Sequence, residues 1–301
     1  MTLIVSADDL GATPGVTASI LEAVDHGCIT SVSVLPNGAD FEHAMDEVRR
    51  RPALRVSAHL NVVEGVPLLS PDRIPQLVAP DGFFRHSFPS LWLASLLPGR
   101  AAVRDQLRKE LSAQLDRFRA ALPPGRALSV DSHVHLHLIP MFLDVLTELH
   151  ADYRFAYVRM LEEPFLRVRR RGALANYLGP NLVKHALLRV LSGRGKRRLR
   201  ALGIPHCSTF VGVLFTGNMS AEVVRAALVG HAADPARIIE ILFHPGSARA
   251  GEESHWAPRH RGLRNAYYSP WRATERESLK DPNLMALVAS FESSTAPGSL
   301  P

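Results

Sequence analysis

The segment LIVSADD at residues 3–9 shows the pattern that decides the fold, an apolar run that ends in charged side chains. Further short apolar runs end at His59, at Asp131 and His133, and at His244. In (β/α) proteins, functional side chains lie at the carboxyl ends of parallel strands. A single histidine in such a position would mean little. The recurrence predicts one shared site, and histidines combined with carboxylates indicate a metal site.

Strand-like runs alternate with helical patterns along most of the chain. Thr13-Pro14, for example, is an N-cap followed by a helix-starting proline, and Gly27 closes that helical segment. Such alternation requires parallel pairing, in an open doubly wound sheet or in a barrel. About seven units favour an α/β fold, a distorted (β/α) barrel of about seven parallel strands. The predicted strands cover residues 2–7, 29–35, 54–60, 127–133, 155–160, 207–214 and 237–243, and further helices cover residues 39–51, 102–122, 140–150 and 219–232.

One domain is predicted over residues 1–292, followed by a flexible tail at 293–301. Two insertions interrupt the alternation. Residues 62–101 are proline-rich and predict a lid or substrate wall, with a packed surface excursion as the alternative. Residues 163–205 are helical, basic and leucine-rich, which fits either an anionic membrane surface or a solvated helical hairpin.

The composition is that of a globular protein, with 46% hydrophobic residues, 21% charged residues and a mean hydropathy of +0.01. No apolar run is long enough for a membrane span, and the first residues do not resemble a signal peptide. We therefore expect a cytoplasmic protein, with peripheral association at the inner membrane face as a further hypothesis. The net charge of +6 is concentrated near the second insertion, so nucleic acid is not an expected partner.

Adjacent carboxylates follow the first strand at Asp8 and Asp9. A nearby cation would relieve their repulsion, so one of them could bind metal while the other handles a proton. Capping of the next helix is the alternative interpretation.

Histidines end the third and fourth strands. His59 is followed by Asn61 on the same side, and Asp131, His133 and His135 alternate along one strand face, with His137 continuing the series. Imidazole ligands favour zinc, although nitrogen and carboxylate ligands together hold several divalent metals. We expect at least one of the three histidines to bind metal, and His135 and His137 could instead be packing residues or neighbours of the ligands.

Two further residues end the fifth and seventh strands. His244, just before Pro245-Gly246, has a side chain whose ordinary pKa suits proton donation near neutral pH. Arg159 could orient a carboxylate or bind a substrate oxygen, with a structural salt bridge as the alternative.

These residues resemble the YdjC-like carbohydrate deacetylases, the family that includes chitooligosaccharide deacetylases and hopanoid-biosynthesis deacetylase-like proteins. Family members usually carry phenylalanine where this chain has Leu10, which is a mild departure. The matching segments, in order over about residues 1–250, are Ala7-Asp8-Asp9-Leu10-Gly11, Ala58-His59-Leu60-Asn61, Glu64-Gly65-Val66-Pro67, Asp131-Ser132-His133-Val134-His135 and Phe243-His244-Pro245.

The resemblance implies a distorted (β/α) barrel and metal-dependent removal of the acetyl group from an N-acetylated sugar. It implies that Asp9, His59 and His133 hold one divalent ion, Mg²⁺ or Zn²⁺. It further implies Asp8 as the general base and His244 as the general acid, with the roles of the two aspartates open to exchange. Asn61, Asp131, His135 and Arg159 would contact the substrate or surround these groups.

The expected partner is an N-acetylated oligosaccharide or glycolipid, and the basic insertion motivates an amino-sugar lipid. A homodimer is a second partner hypothesis. Two other functions fit the same residues: a metal-dependent phosphoesterase, in which Arg159 would bind phosphate, and a carbohydrate or lipid-headgroup binding protein without catalysis.

Overall fold

Seven parallel strands form one sheet in the computed structural model, which describes residues 2–168, 173–228 and 237–294. Their order across the sheet is β5-β4-β3-β2-β1-β7-β6, which confirms the predicted parallel arrangement. The strands are β1 Thr2–Leu10, β2 Ser31–Val34, β3 Arg55–Leu60, β4 Ser129–Ser132, β5 Tyr157–Val158, β6 Thr209–Val211 and β7 Ile238–Phe243. The helices are α1 Pro14–His26, α2 Phe41–Arg49, α3 Phe88–Ala94, α4 Arg100–Ala121, α5 Pro140–Tyr153, α6 Ala173–Leu178, α7 Pro180–Ala201, α8 Ala221–Leu228, α9 Arg261–Tyr267, α10 Pro270–Leu279 and α11 Pro282–Ser294.

The sheet curls until its two edges meet, which gives the distorted (β/α) barrel. The backbone N–H of Val158 donates to Pro205 O at 3.0 Å, and that of Phe210 donates to Glu162 O at 3.1 Å. Side chains also meet across the interior: Tyr157 on β5 donates to Glu240 on β7 at 2.6 Å, although these strands are not neighbours in the sheet. The edges β5 and β6 are therefore joined by irregular segments instead of a regular ladder.

The barrel interior is polar, whereas barrels of this kind usually fill it with branched apolar side chains. The alternation in β3 shows the cause, because Arg55, Ser57 and His59 share one face while the intervening residues are apolar. At the amino ends of the strands this leaves a cavity of about 480 Å³ that reaches Tyr157 and Glu240. Polar side chains thus continue through the interior up to the carboxyl ends.

A β-bulge ends β1. Ala7 pairs with Val32 and Leu10 with Val34, so Asp8 and Asp9 together lie opposite the single intervening residue of β2. Asp9 has a positive φ of 76°, a conformation that non-glycine residues rarely adopt. On a regular strand, adjacent side chains point to opposite faces. The bulge is what allows both carboxylates to face the interior.

The first helix begins as predicted. The hydroxyl of Thr13 accepts a hydrogen bond from the N–H of Val16, Pro14 stands in the first turn, and Gly27 is the C-cap. Helix α8 matches the start of the predicted helix 219–232, whose residues 229–232 lie outside the described residues.

The two insertions take different forms. In the first, Val66 and Phe83 line a pocket together with Asn61 and Glu64. The second contains α6 and α7, as the helical prediction requires, and Leu188, Leu191 and Leu199 anchor α7 to the core. Helix α11 continues to Ser294, and residues 295–301 of the predicted tail lie outside the described residues. Among the described helices, none has the length and apolar character needed to cross a membrane.

Candidate metal centre and active site

Three of the predicted metal ligands meet at the carboxyl ends of β1, β3 and β4. One ligand atom from each of Asp9, His59 and His133 can be chosen so that all lie within 4.8 Å of one another. Asp9 Oδ1 is 3.0 Å from His133 Nδ1 and 3.5 Å from His59 Nε2. All three residues are buried. Residues 124 positions apart in the sequence are thus in direct contact.

Each histidine of this cluster has a carboxylate on its other ring nitrogen. His59 Nδ1 lies 2.6 Å from Asp131 Oδ1, because the two residues are paired across β3 and β4. His133 Nε2 lies 2.8 Å from Glu64 Oε2. Metal-binding histidines typically donate their second N–H in this way, which fixes the ring and its tautomer.

Asp8 belongs to a different set of contacts. Arg159 donates to both of its oxygens, at 2.7 and 2.9 Å, and also contacts Asp131 and Glu240. Arg159 is 1% exposed, and its guanidinium is surrounded by these carboxylates and the hydroxyl of Ser33. Asp8, His59 and Asp131 form a second group with suitable spacing for a cation, but a guanidinium already occupies that position. The geometry favours Asp9, His59 and His133.

The charges around the cluster also fit a cation. Five carboxylates and two guanidiniums form one connected, buried network, so negative groups exceed positive ones by three before any histidine is counted. A buried excess of this size requires compensation by protons or by a cation. The network consists of Asp8, Asp9, Glu64, Asp131, Glu240, Arg159 and Arg272. The donor set and the charge therefore both suit one divalent ion.

The pKa values show how the same network behaves without an ion. Burial opposes a charged imidazole, but Asp8 and Asp131 outweigh it and raise the pKa of His59 to about 10. Burial likewise opposes charge on His133, but Glu64 and Asp9 raise its pKa to about 9. For Asp9, burial acts to raise the pKa, yet hydrogen bonds from His133 and His59 and the charge of Arg272 hold it well below its usual range. Protons on the two imidazoles offset two of the three excess negative charges.

The prediction that His133, His135 and His137 share a strand face is wrong. Strand β4 ends at Ser132, and residues 133–138 form a tight 3₁₀ turn in which Val134 and His135 have positive φ values of 44° and 61°. The alternation of side chains between the two faces of the strand therefore stops at His133. His135 packs edge-on against Phe210, and its Nδ1 has no hydrogen-bond partner among the described residues. His137 Nδ1 instead lies 2.6 Å from the hydroxyl of Ser132.

His244 directly follows β7, which pairs with β1 up to the register Ala7–Phe243, so it lies beside the first aspartate. Its ring packs edge-on against Trp271, and its Nδ1 has no hydrogen-bond partner within the described parts of the chain. Burial and the charge of Arg272 lower the pKa of His244 to about 3. The ring is therefore neutral here, unlike the near-neutral pKa expected from the sequence.

Asn61 organises the loop after β3 and contacts no ligand candidate. Its Oδ1 accepts the N–H groups of Val63 and Glu64 at 3.0 and 3.1 Å, and its Nδ2 donates to Glu64 O at 2.7 Å. Beside it lies a pocket of about 120 Å³, lined by Asn37, Phe83 and Trp256 among others. The pocket borders Glu64 and is therefore next to the metal cluster.

Several residues of the site were not assigned by sequence reasoning. Arg272 donates to Asp9 Oδ2 at 3.0 Å, and Trp256 donates to Glu64 Oε1 at 2.7 Å. Glu275 accepts the N–H of His244 at 2.6 Å and so fixes the segment after β7. Glu64 could have been found as a carboxylate shortly after a strand end. The other three follow no strand, and nothing in the sequence pattern distinguishes them.

The fold and the cluster together describe a (β/α) barrel with a candidate cation site at the carboxyl ends of its strands. The family model described as "YdjC-like protein" matches residues 2–290 of this chain. The chain therefore belongs to the YdjC-like family.

Relatives named "Carbohydrate deacetylase" match large parts of the chain. The mouse protein is 33% identical over 259 residues, covering 81% of this chain and 77% of the relative. The human protein is 32% identical over 260 residues, covering 82% and 75%. The Brevibacillus brevis protein is 38% identical over 155 residues, covering 51% of this chain and only 57% of the relative.

A solved structure from Enterococcus faecalis V583, described as a candidate cellobiose-phosphate cleavage protein, superposes over 98% of this chain and 99% of its own. The TM-score is 0.65 and the sequence identity is 21%. At this identity the similarity is evidence for the fold alone.

Proposed function

We propose that this protein is a metal-dependent carbohydrate deacetylase that releases acetate from an N-acetylated amino sugar and leaves a free amine. The observation that carries the proposal is the convergence of Asp9, His59 and His133, each of the histidines with a carboxylate behind it. Family membership and the names of the relatives support the same reaction class.

We propose Asp9, His59 and His133 as the residues that hold the ion. A bound divalent ion would polarise the acetamide carbonyl and favour ionisation of water. Asp9 suits the role because Arg272 contacts only its Oδ2, while Oδ1 faces both histidines. Zn²⁺ and Mg²⁺ both remain candidates, because a two-histidine, one-carboxylate set suits zinc and also other divalent ions.

Asp8 is the proposed general base. Its carboxylate lies 3.9 Å from His59 Nε2, so it borders the cluster without belonging to it. The two hydrogen bonds from Arg159 fix its orientation, which a base needs in order to accept a proton from the attacking water. Arg159 and Asp131 are thus proposed to position Asp8 and His59 and not to touch substrate.

His244 is the proposed general acid for the leaving amine, which cannot depart as an anion. Its neutral ring would receive the proton that Asp8 takes from the attacking water, because negative charge on the oxygen of the attacked carbonyl favours the imidazolium form. The ring would then pass this proton to the leaving nitrogen. Nδ1 makes no hydrogen bond among the described residues, with Glu275 Oε2 3.9 Å away, so this atom is proposed for the role. His135 offers a similar free atom and is proposed as a substrate contact.

The phosphoesterase alternative loses its main support. Arg159 was its phosphate-binding candidate, and this side chain is buried and bonded to carboxylates. The non-catalytic alternative gives no reason for the orientation of Asp8 or for the buried His244 Nδ1 without a hydrogen bond among the described residues.

The reaction class can be tested with a panel of N-acetylated saccharides and glycolipids, with phosphate esters as the comparison. We expect acetate release that is lost after chelation and restored by Zn²⁺ or Mg²⁺. Phosphate release without acetate release, or acetate release that survives complete removal of metal, would contradict the proposal.

For the substrate, we propose a lipid-linked amino sugar presented at an anionic surface. Helices α6 and α7 expose Leu178 at 85%, Val183 at 71% and Val190 at 69%. Arginines on the same insertion could contact anionic headgroups. Sedimentation with anionic vesicles at low salt should recover the protein, and Val183→Asp with Val190→Asp should abolish this. If those substitutions instead convert a dimer to a monomer in analytical ultracentrifugation, the exposed surface is a subunit contact.

A further inference from the structure

Glu64 joins the candidate metal centre to the pocket beside it. Its Oε2 lies 2.8 Å from His133 Nε2, and its Oε1 accepts the indole N–H of Trp256 at 2.7 Å. We propose that Glu64 is a positioning residue that places the proton of His133 on Nε2 and thereby leaves Nδ1 for the ion. This inference rests on the proposed function for the presence of the ion, and goes beyond it in assigning the residue that prepares His133.

A metal-bound histidine is a neutral imidazole with a single N–H, because the ion replaces the other ring proton. Whichever ring nitrogen carries the hydrogen cannot bind a metal, so the partner of the other nitrogen decides which atom becomes the ligand. Glu64 faces Nε2, and Nδ1 faces Asp9 Oδ1 at 3.0 Å. A carboxylate oxygen on Nε2 therefore selects the tautomer whose free nitrogen points into the cluster.

His59 is held in the complementary way. Its Nδ1 contacts Asp131, so its Nε2 is the nitrogen that faces Asp9. The two histidines thus present different ring nitrogens to the same point, each because of the carboxylate behind it. Glu64 does for His133 what Asp131 does for His59.

Glu64 has little freedom to move. Asn61 accepts the backbone N–H of Glu64 and donates to the carbonyl of Glu64, and Glu64 is 5% exposed. Trp256 is also buried and packs against Tyr267 with ring centroids 5.2 Å apart. Because an indole nitrogen can only donate, Trp256 requires an acceptor at Oε1.

This requirement makes Glu64→Gln an informative substitution. The amide has one acceptor oxygen and one donor nitrogen, and the oxygen is needed at the position of Oε1 by Trp256. Its NH₂ group would then point at His133 Nε2 and favour the wrong tautomer, with hydrogen on Nδ1. Removing the indole N–H by Trp256→Phe lets the amide turn, so that its oxygen again faces His133.

The test is calorimetric titration of the metal-free protein with Zn²⁺ and with Mg²⁺, on the wild type and on the variants Glu64→Gln, Trp256→Phe and the double variant. We expect Glu64→Gln to weaken binding about 10- to 100-fold, the usual cost of losing such a carboxylate partner. Trp256→Phe alone should change affinity by no more than about threefold, and the double variant should recover most of the loss.

Glu110→Gln provides the matched control. Glu110 is likewise buried and accepts backbone N–H groups, those of Leu68 and Leu69, but it does not contact either histidine. Thermal unfolding of every variant verifies that each is folded. The control should bind the ion like the wild type.

Two outcomes would overturn this inference: Glu64→Gln binding both ions as tightly as the wild type, or a double variant no better than Glu64→Gln. The second outcome would reduce Glu64 to a packing residue, because loss of packing cannot be repaired by removing a neighbour. A wild-type protein that binds neither ion would overturn the proposed function. Failure of the proposed function can therefore be distinguished from failure of the inference about Glu64, in which the wild type still binds metal.

Discussion

The two sides of the barrel mouth differ in how completely their polar atoms are paired. On the side of β1, β3 and β4, the carboxylates and imidazoles of Asp9, His59 and His133 all have charged or hydrogen-bonding neighbours. On the side after β7, His244 Nδ1 makes no hydrogen bond among the described residues, and the carboxylate of Glu275 lies 3.9 Å from it. The first side has the donor set of a cation site, whereas the second side has a buried ring nitrogen without a hydrogen bond.

The cause of the difference lies in the surrounding charges. The β1–β4 side has an excess of carboxylates, which favours positive charge on its histidines. Beside His244, burial and Arg272 oppose positive charge, and the nearest carboxylate, Glu275, is engaged by the backbone N–H groups of His244 and Gly217. The same barrel mouth thus holds two histidines with raised pKa values and one histidine with a lowered pKa value. Substitutions on each side can test this contrast.

The largest effect is expected from loss of a proposed metal ligand. His59→Ala should abolish stoichiometric metal binding and lower kcat/KM by about 10³-fold or more, because metal catalysis is worth several kcal/mol. Metal content by mass spectrometry and acetate release measure the two effects. His43→Ala, whose ring is 55% exposed on α2, is the control and should change neither. Full metal content in His59→Ala would show that the cluster is not the binding site.

Asp8→Asn should affect turnover but not metal binding. Loss of a general base typically costs about 10² to 10⁴-fold in kcat. Metal affinity should stay within a few-fold of the wild type, whereas Asp9→Asn should lose the ion. Paired titrations of the two variants decide the roles of the aspartates. If Asp8→Asn loses the ion and Asp9→Asn keeps it, the assignments must be exchanged.

His244→Gln should slow only reactions whose leaving group needs a proton. For an N-acetylated sugar we expect kcat to fall about 10² to 10³-fold with little change in KM. For 4-nitrophenyl acetate, whose phenolate leaves without protonation, the loss should shrink to a few-fold. The ratio of the two losses is the measurement. Equal losses on both substrates would mean that His244 acts in another step.

The smallest effect is expected from Glu275, which accepts the backbone N–H of His244. Burial raises the pKa of Glu275 to about 7, above its value of 4.5 in an unfolded chain. The folded protein therefore binds more protons between these pH values, and stability contributed by the protonated group is lost as the pH rises through 7. Relative to the wild type, Glu275→Gln should gain up to about 3 kcal/mol in free energy of unfolding between pH 4.5 and 7.5.

Urea unfolding at both pH values measures this difference. Glu277→Gln, a change of the same kind at a residue 67% exposed on the same helix, is the control. A constant difference between Glu275→Gln and the wild type would mean that folding does not raise the pKa of Glu275.

The sequence could predict the side of β1, β3 and β4 because its residues follow strands. Alternation in Arg55–Leu60 shows which face carries His59, and parallel strands bring their ends together. It could not predict the extent of β1, which continues to Leu10 through the bulge. The turn after Ser132 was also missed, because left-handed backbone at Val134 and His135 has no glycine or asparagine to indicate it.

The side after β7 depends on residues that do not follow a predicted strand, so the sequence pattern does not indicate their role. Trp256 and Arg272 lie in the helical region after β7 and reach Glu64 and Asp9 only through the tertiary fold. Charge and size alone do not distinguish Arg272 from a surface arginine. The lowered pKa of His244 was missed for the same reason, because burial and a distant charge cause it.

The extra residue in β1 has a consequence for anyone transplanting this chemistry into another barrel. If the Asp8-Asp9 dipeptide were copied onto a strand without a bulge, one of the two carboxylates would point into the hydrophobic core between the sheet and the helices. A designer must copy the irregularity opposite Ser33 as well, and a one-residue deletion there should inactivate the natural protein even if an aspartate is retained.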